Sequence, residues 1–167
     1  MTLSTRAPQH ARPAAPPDRR PRRSSTRRVL LALAAPLLVV GLAACDPSPS
    51  QESVRSLVNE SRRAHGVHPI GDELIVRQKA QRWAEHLAAN GTLAHSNLSS
   101  GLDGLPWVTV AENVGRGSSI RSIHDSYLAS PRHRANILDR RWDRIGTGHA
   151  VARDGTVYTV HVFVDLG

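Results

Sequence analysis

Histidine is the residue type through which this chain could do most of its chemistry. Residues 45–167 hold eight of its nine histidines, against one lysine, Lys79. Five of the eight have an ordinary account. His65 follows a helical stretch, where a polar ring suits the negative helix pole. His68 sits in a turn, His86 beside the apolar stripe of a helix, His124 on such a stripe and His149 in a strand-like segment. His95 and His133 have no apolar period to explain them. Each lies, as does Glu112, where an element is expected to begin or end, the usual place for site residues. Two imidazoles and one carboxylate could together hold a zinc-like cation, with water at an open position. Without metal, the same three could form a hydrogen-bonded cluster that pins loops together. Ser130, three residues before His133, admits a nucleophile-base reading. It suits better the N-cap of a short helix with Pro131 at its first turn, its oxygen accepting from the backbone N–H of His133.

Cys45 is the only cysteine, and it divides the chain. Before it stand an arginine-rich head ending in Arg27 and Arg28, a short apolar core from Val29 to Leu42, and the small residues Ala43 and Ala44. Head, core and small-residue cleavage site make an export signal. With Leu42-Ala43-Ala44-Cys45 at its end it resembles a bacterial lipoprotein signal, which implies removal of residues 1–44 and lipidation of Cys45. The core is shorter than the ~20 residues that span a bilayer. Thr26-Arg27-Arg28-Val29-Leu30-Leu31 resembles a twin-arginine export motif, and an ordinary basic head accounts for it equally well.

The net charge of +8 is a property of that head, because residues 1–44 hold eight Arg and one Asp. Residues 45–167 are nearly balanced, so the domain has no electrostatic footprint for nucleic acid. With Cys45 lipidated no thiol remains, which excludes disulfides, thiolate metal ligands and a cysteine nucleophile. There is no His-Glu-x-x-His, no paired-cysteine metal pattern, no phosphate-cradling glycine loop and no Gly-x-Ser-x-Gly.

The elements that must position these side chains follow from periodicity. Residues 45–51, proline- and serine-rich, are expected to be a tether that does not pack. The domain is expected over 52–167. Val54, Leu57, Val58 and Ala64 predict a first amphipathic helix over Glu52–His65, stopped by Gly66. Asp72 is placed as the N-cap of a second, whose stripe is Val76, Ala80, Trp83, Ala84 and Leu87 and whose end is Gly91. Trp83 is therefore expected in the core. Residues 92–117 are glycine-rich and without period. Ile120, Ile123, His124, Tyr127 and Leu128 mark a third helix capped by Ser118 or Ser119, and Ser130-Pro131 begins a fourth. Ile145–Val151 and Thr156–Val164, joined around Asp154-Gly155, read as a hairpin. Helices first and strands last predict an α+β domain with an antiparallel sheet.

Five segments carry a family resemblance: Leu87 to Ser96, Ala111-Glu112-Asn113-Val114, Tyr127 to Leu138, Ile145-Gly146-Thr147-Gly148 and Tyr158 to Phe163. In this order they resemble the CAP superfamily of cysteine-rich secretory, antigen-five and pathogenesis-related proteins, and most closely its short disulfide-free bacterial branch, over Leu57–Phe163. The resemblance implies a three-layer α-β-α sandwich with a central antiparallel sheet and a cleft of two histidines and usually two acids. His95 and His133 match the histidines and Glu112 the glutamate, while Ser130 stands at the second acidic position. Ala111 replaces a motif glycine, Tyr127 a tryptophan and His161 a common glutamine.

The expected function is a monomeric binding or scaffold module, anchored by its lipid to the outer face of the cytoplasmic membrane. Its cleft is His95, Glu112, Ser130 and His133, its ligand a lipid or other small apolar molecule, and zinc an optional occupant at His95 and His133. Two alternatives stay open. One is a metal-assisted hydrolase of peptide, ester or cell-wall bonds, and the other a purely structural envelope protein. With Ser130 in place of a carboxylate, Glu112 is the only candidate general base.

Overall fold

The computed structural model describes residues 46–167. Cys45, the leader and its export motifs lie outside the described residues. The element order is α1 (Pro49–Ala64), β1 (Gly71–Asp72), α2 (Leu74–Asn90), β2 (Thr109–Gly117), α3 (Ile120–Ala129), α4 (Pro131–Leu138), β3 (Arg144–Val151) and β4 (Val157–Asp165). The sheet order is β1-β3-β4-β2. β4 pairs antiparallel with both β2 and β3, and the two-residue β1 adds a parallel edge to β3.

Strand alternation sorts side chains into two layers. From β4, Tyr158, Val160, Val162 and Val164 pack with Val76, Ala80, Ala84 and Leu87 of α2. Phe163 points the other way, joining Ile145, Val58, Ile123, Tyr127, Ile137 and Trp142 beneath α1, α3 and α4. The result is the expected α-β-α sandwich, with α2 alone on one face. β3 supplies Gly146 and Gly148 on that face. A Cβ at Gly146 would overlap the backbone of Val76 and Arg77, and one at Gly148 that of Ala80. α2 thus lies with its backbone directly against β3.

Three local expectations are corrected, and one unassigned stretch is resolved. α1 starts at Pro49, where Ser48 and Gln51 form a capping box, so the last residues of the expected tether are the helix's first turn and Gln51 is buried. The strong N-cap of Ser48 and the helix-starting Pro49 outweigh the tether-like composition. Asp72 lies in β1 and pairs with Arg77, and Glu73 is the N-cap of α2. The stretch without period contains β2, an edge strand whose burial does not alternate. Trp83 is only half-buried, its indole N–H donating to the Ala94 carbonyl at 2.9 Å. It sits at the margin of the stripe, between α2 and the following loop.

The core tryptophan is Trp142, which donates to the Asn136 carbonyl and stacks on Phe163 at 5.8 Å between centroids. Trp142→Ala should cost about 3–5 kcal/mol, as large core truncations do. Trp83→Ala should cost less than ~2 kcal/mol, from partial burial and one hydrogen bond. Urea unfolding of both variants checks this ranking, and a larger loss at Trp83 would contradict it.

Candidate functional site

The α2–β2 loop and edge strand β2 build the site around Glu112. Its side chain is 1 % exposed, and its partner ring, His95, is 61 % exposed. Nδ1 of His95 donates to Glu112 Oε1 at 2.8 Å, the Ser96 backbone N–H donates to the same oxygen at 2.9 Å, and the Ser96 hydroxyl donates to Oε2 at 2.7 Å. A carboxylate holding one imidazole nitrogen sets the ring's orientation and leaves Nε2 facing outward.

Beneath Ser96 lies Lys79, 5 % exposed on the inner side of α2. Its ammonium donates to Ser96 Oγ at 3.1 Å and to the carbonyls of Asn97 and Ser100 at 2.7 and 2.9 Å. Burial lowers its pKa, and the Glu112 charge opposes that shift. Lys79, Ser96, Glu112 and His95 therefore form one continuous polar chain from helix to loop to strand. Lys79 and Ser96 escaped the sequence reading. The only lysine of the chain, next to Ala80 on an apolar stripe, was the available signal.

The neighbouring residue of β2 faces the opposite side. Asn113 Nδ2 donates to the His133 carbonyl at 3.0 Å, and Asn136 Nδ2 donates to Asn113 Oδ1 at 2.9 Å, so β2 holds the start of α4 in place. The half-buried His133 ring lies 5.1 Å from Tyr127 between centroids. Burial lowers its pKa first, and repulsion from His95 adds to this. The structure thus bonds His95 to Glu112 and brings His133 into electrostatic reach of His95. No hydrogen bond joins His133 to either among the described residues. Nor do the described residues gather three or more His, Cys, Asp or Glu side chains so that they could hold a metal ion.

Ser130 occupies the N-cap position of α4 but makes no side-chain capping bond, which corrects the expectation. It is also the C-cap of α3, with its N–H on the Ser126 and Tyr127 carbonyls and its carbonyl accepting from Arg134. Backbone bonding in both directions joins the two helices without the hydroxyl. No bond links that hydroxyl to His133, so the pair is not assembled as nucleophile and base.

His161 and His124 lie apart from Glu112, inside the other layer. His161 is 1 % exposed, edge-on to Tyr127 at 4.8 Å and to Phe163 at 5.8 Å, and its Nδ1 has no partner. His124 bonds Ser61 Oγ through Nε2 at 2.8 Å, and its Nδ1 has no partner.

Glu112→Gln removes the negative charge that three donors converge on and that offsets buried Lys79. The variant should lose about 1.5–3 kcal/mol, the range for hydrogen bonds to a charged group. Its Ser96 amide should exchange with solvent faster. An unchanged melt with unchanged exchange would mean that Glu112 does not hold the loop.

Among solved structures the fold has several likenesses. An outer surface protein of Borrelia burgdorferi matches with a TM-score of 0.65 at 17% identity, over 72% of this chain and 95% of that one. A cysteine-rich secretory protein of Staphylococcus aureus matches at 0.58 and 24%, over 70% of this chain and 38% of that one. An extracellular protein of Bacillus anthracis containing an SCP domain matches at 0.59 and 18%, over 70% and 40%. This chain therefore spans well under half the length of the last two. Among curated proteins none matches significantly. The family model for the cysteine-rich secretory protein family matches residues 55–164, from the middle of α1 to the end of β4, and the chain belongs to that family, the CAP proteins.

Proposed function

We propose that this chain is an exported CAP domain that acts as a binding module at the cell envelope, held to the membrane through lipid on Cys45, with His95, Glu112 and His133 as its polar cleft. The observation that carries the binding reading is the state of Glu112. Both of its oxygens are occupied by donors from His95 and Ser96. A carboxylate held this way orients a ring and anchors a loop; it is poorly placed to take a proton from water. The exposed His95 ring then offers Nε2 to a ligand from a rigid frame. Export is supported by the leader and by relatives that are themselves an outer surface protein and an extracellular protein.

His95 and His133 would be the ligands of a zinc-like cation, which would act there as a Lewis acid. The carboxylate on His95 Nδ1 suits that role. With two imidazoles and no third side chain gathered, the fit is to an exchangeable ion rather than a tightly held one. The test is metal analysis of the purified protein before and after chelation, beside a thermal melt. The binding reading expects little retained zinc and an unchanged melt. Tight stoichiometric zinc, lost in His95→Ala and His133→Ala, would instead support the hydrolase. The anchor is tested by mass spectrometry of the membrane-bound protein. Cys45→Ala should lose the lipid mass, and a variant still processed and retained like the parent would overturn the lipoprotein assignment.

A further inference from the structure

A pocket lies between α2 and the loop that carries His95. It is an open groove of about 460 Å³, lined by Lys79, Arg82, Trp83 and His86 from the helix and by Ser96, Asn97, Ser100 and Gly101 from the loop. The loop wall is fixed from below by the three Lys79 hydrogen bonds and at the rim by the Trp83 bond to Ala94. Gly101, at φ +72°, lets the Arg82 guanidinium lie close against the loop, since a Cβ there would stand 3.2 Å from it.

The side-chain groups left unused in this pocket are donors, apart from the Ser100 hydroxyl, whose proton goes to the Asn97 carbonyl. The Asn97 carbonyl group of the side chain already accepts from Ser99, which leaves its Nδ2. His86 Nδ1 lies 3.4 Å from Asn90 Nδ2, and its Nε2 has no hydrogen-bond partner among the described residues. Lys79 spends its three protons on the loop. Arg82 has no hydrogen-bond or ion-pair partner among the described residues, and no carboxylate lines the pocket. Beside these donors stand the Trp83 and His86 rings, stacked 4.7 Å apart at 13°. An unanswered guanidinium next to an aromatic wall selects an anion with a ring behind it. The planar fork suits a carboxylate, and the rings suit an apolar or sugar face. The size and partly apolar lining are those of a small-molecule site.

We propose that this pocket binds a carboxylate carried on a ring, an acidic sugar or an aromatic acid, with Arg82 taking the carboxylate and the Trp83–His86 pair the ring. The proposal rests on the reading of the chain as a binding module and names the ligand class of a site distinct from the histidine cleft.

The test follows the three indole N–H signals of the isotope-labelled protein by NMR while glucuronate, benzoate or glucose is added. Glucuronate or benzoate should shift the Trp83 signal with a Kd on the order of millimolar, the range of a single small anion. The acid that binds more tightly identifies the source. Glucose should shift nothing. Arg82→Gln, at an exposed and unpaired position, should weaken binding about tenfold or more, and Arg82→Lys should restore part of it. Equal binding of glucose, undiminished binding in Arg82→Gln, or no Trp83 shift with either acid would each overturn the proposal. None of these outcomes depends on His95 or His133, so the cleft and this pocket can fail separately.

Discussion

Gly146→Ala should unfold the domain or leave it barely stable, the largest effect expected of any single methyl group in this chain. The added Cβ would overlap the backbone of Val76 and Arg77. Backbone cannot rotate away as a side chain can, so α2 would have to lift from β3. That would open the layer holding Val76, Ala80, Ala84 and Leu87. Overpacking of this kind costs about 3 kcal/mol or more, against a total stability of roughly 5–15 kcal/mol for a domain. Gly71→Ala is the control, because its Cβ would stand an ordinary 3.7 Å from Arg144 Cδ. Urea unfolding should separate the two variants clearly. A loss of less than ~1 kcal/mol at Gly146 would show that α2 is not seated on β3 as described.

The second large effect is loss of stability in acid, centred on His161. Burial pushes the pKa of this ring down to about 3, and the charges of His124 and His133 push the same way. The ring faces Tyr127 of α3 and its strand neighbour Phe163, with no carboxylate contact. In the unfolded chain a histidine titrates near its ordinary value of about 6.5. Between those values the unfolded state binds a proton that the folded state refuses, so stability falls as pH falls from about 6.5 towards 3. The slope approaches 1.4 kcal/mol per pH unit, or roughly 2–3 kcal/mol by pH 4.5. His161→Gln, a neutral side chain that does not titrate, removes this contribution and should reduce the slope, leaving that of His124, His133 and His149, whose pKa values burial also lowers. Denaturant midpoints of parent and variant at pH 7 and pH 4.5 decide it, and parallel pH dependences would place the acid lability elsewhere.

The site itself was legible to different depths. His95 and Glu112 were recognisable as a pair because the motifs around them recur in order, and the structure bonds them directly. Lys79 was not, because a lysine within a helix reads as solvated until the loop that closes over it is known. Ser130 illustrates the converse. Ser-Pro at a helix start predicts a side-chain cap, but the turn from α3 into α4 is built by backbone bonds, and the hydroxyl is left out. Trp83 shares a helical stripe with four fully buried residues, yet its distance from the sheet depends on how α2 is rolled against β3. Periodicity does not contain that roll.

What the sequence determined by itself is whatever depends on neighbours a few residues apart. That covers the helices through their apolar periods and the stops at Gly66 and Gly91, the final hairpin through its strand-like residues and Asp154-Gly155 turn, and the balanced charge of the domain. The recurring motifs added the family and the sandwich. The tertiary structure alone decided what depends on approach across the fold. It revealed edge strand β2 within a glycine-rich stretch that has no period to read, and seated α2 against two glycines of β3. It saturated Glu112 from the loop above, and it buried His161 against Tyr127 and Phe163 in the opposite layer from Glu112. Each of these is set by which surfaces meet, and residues far apart in the chain carry no local record of their meeting.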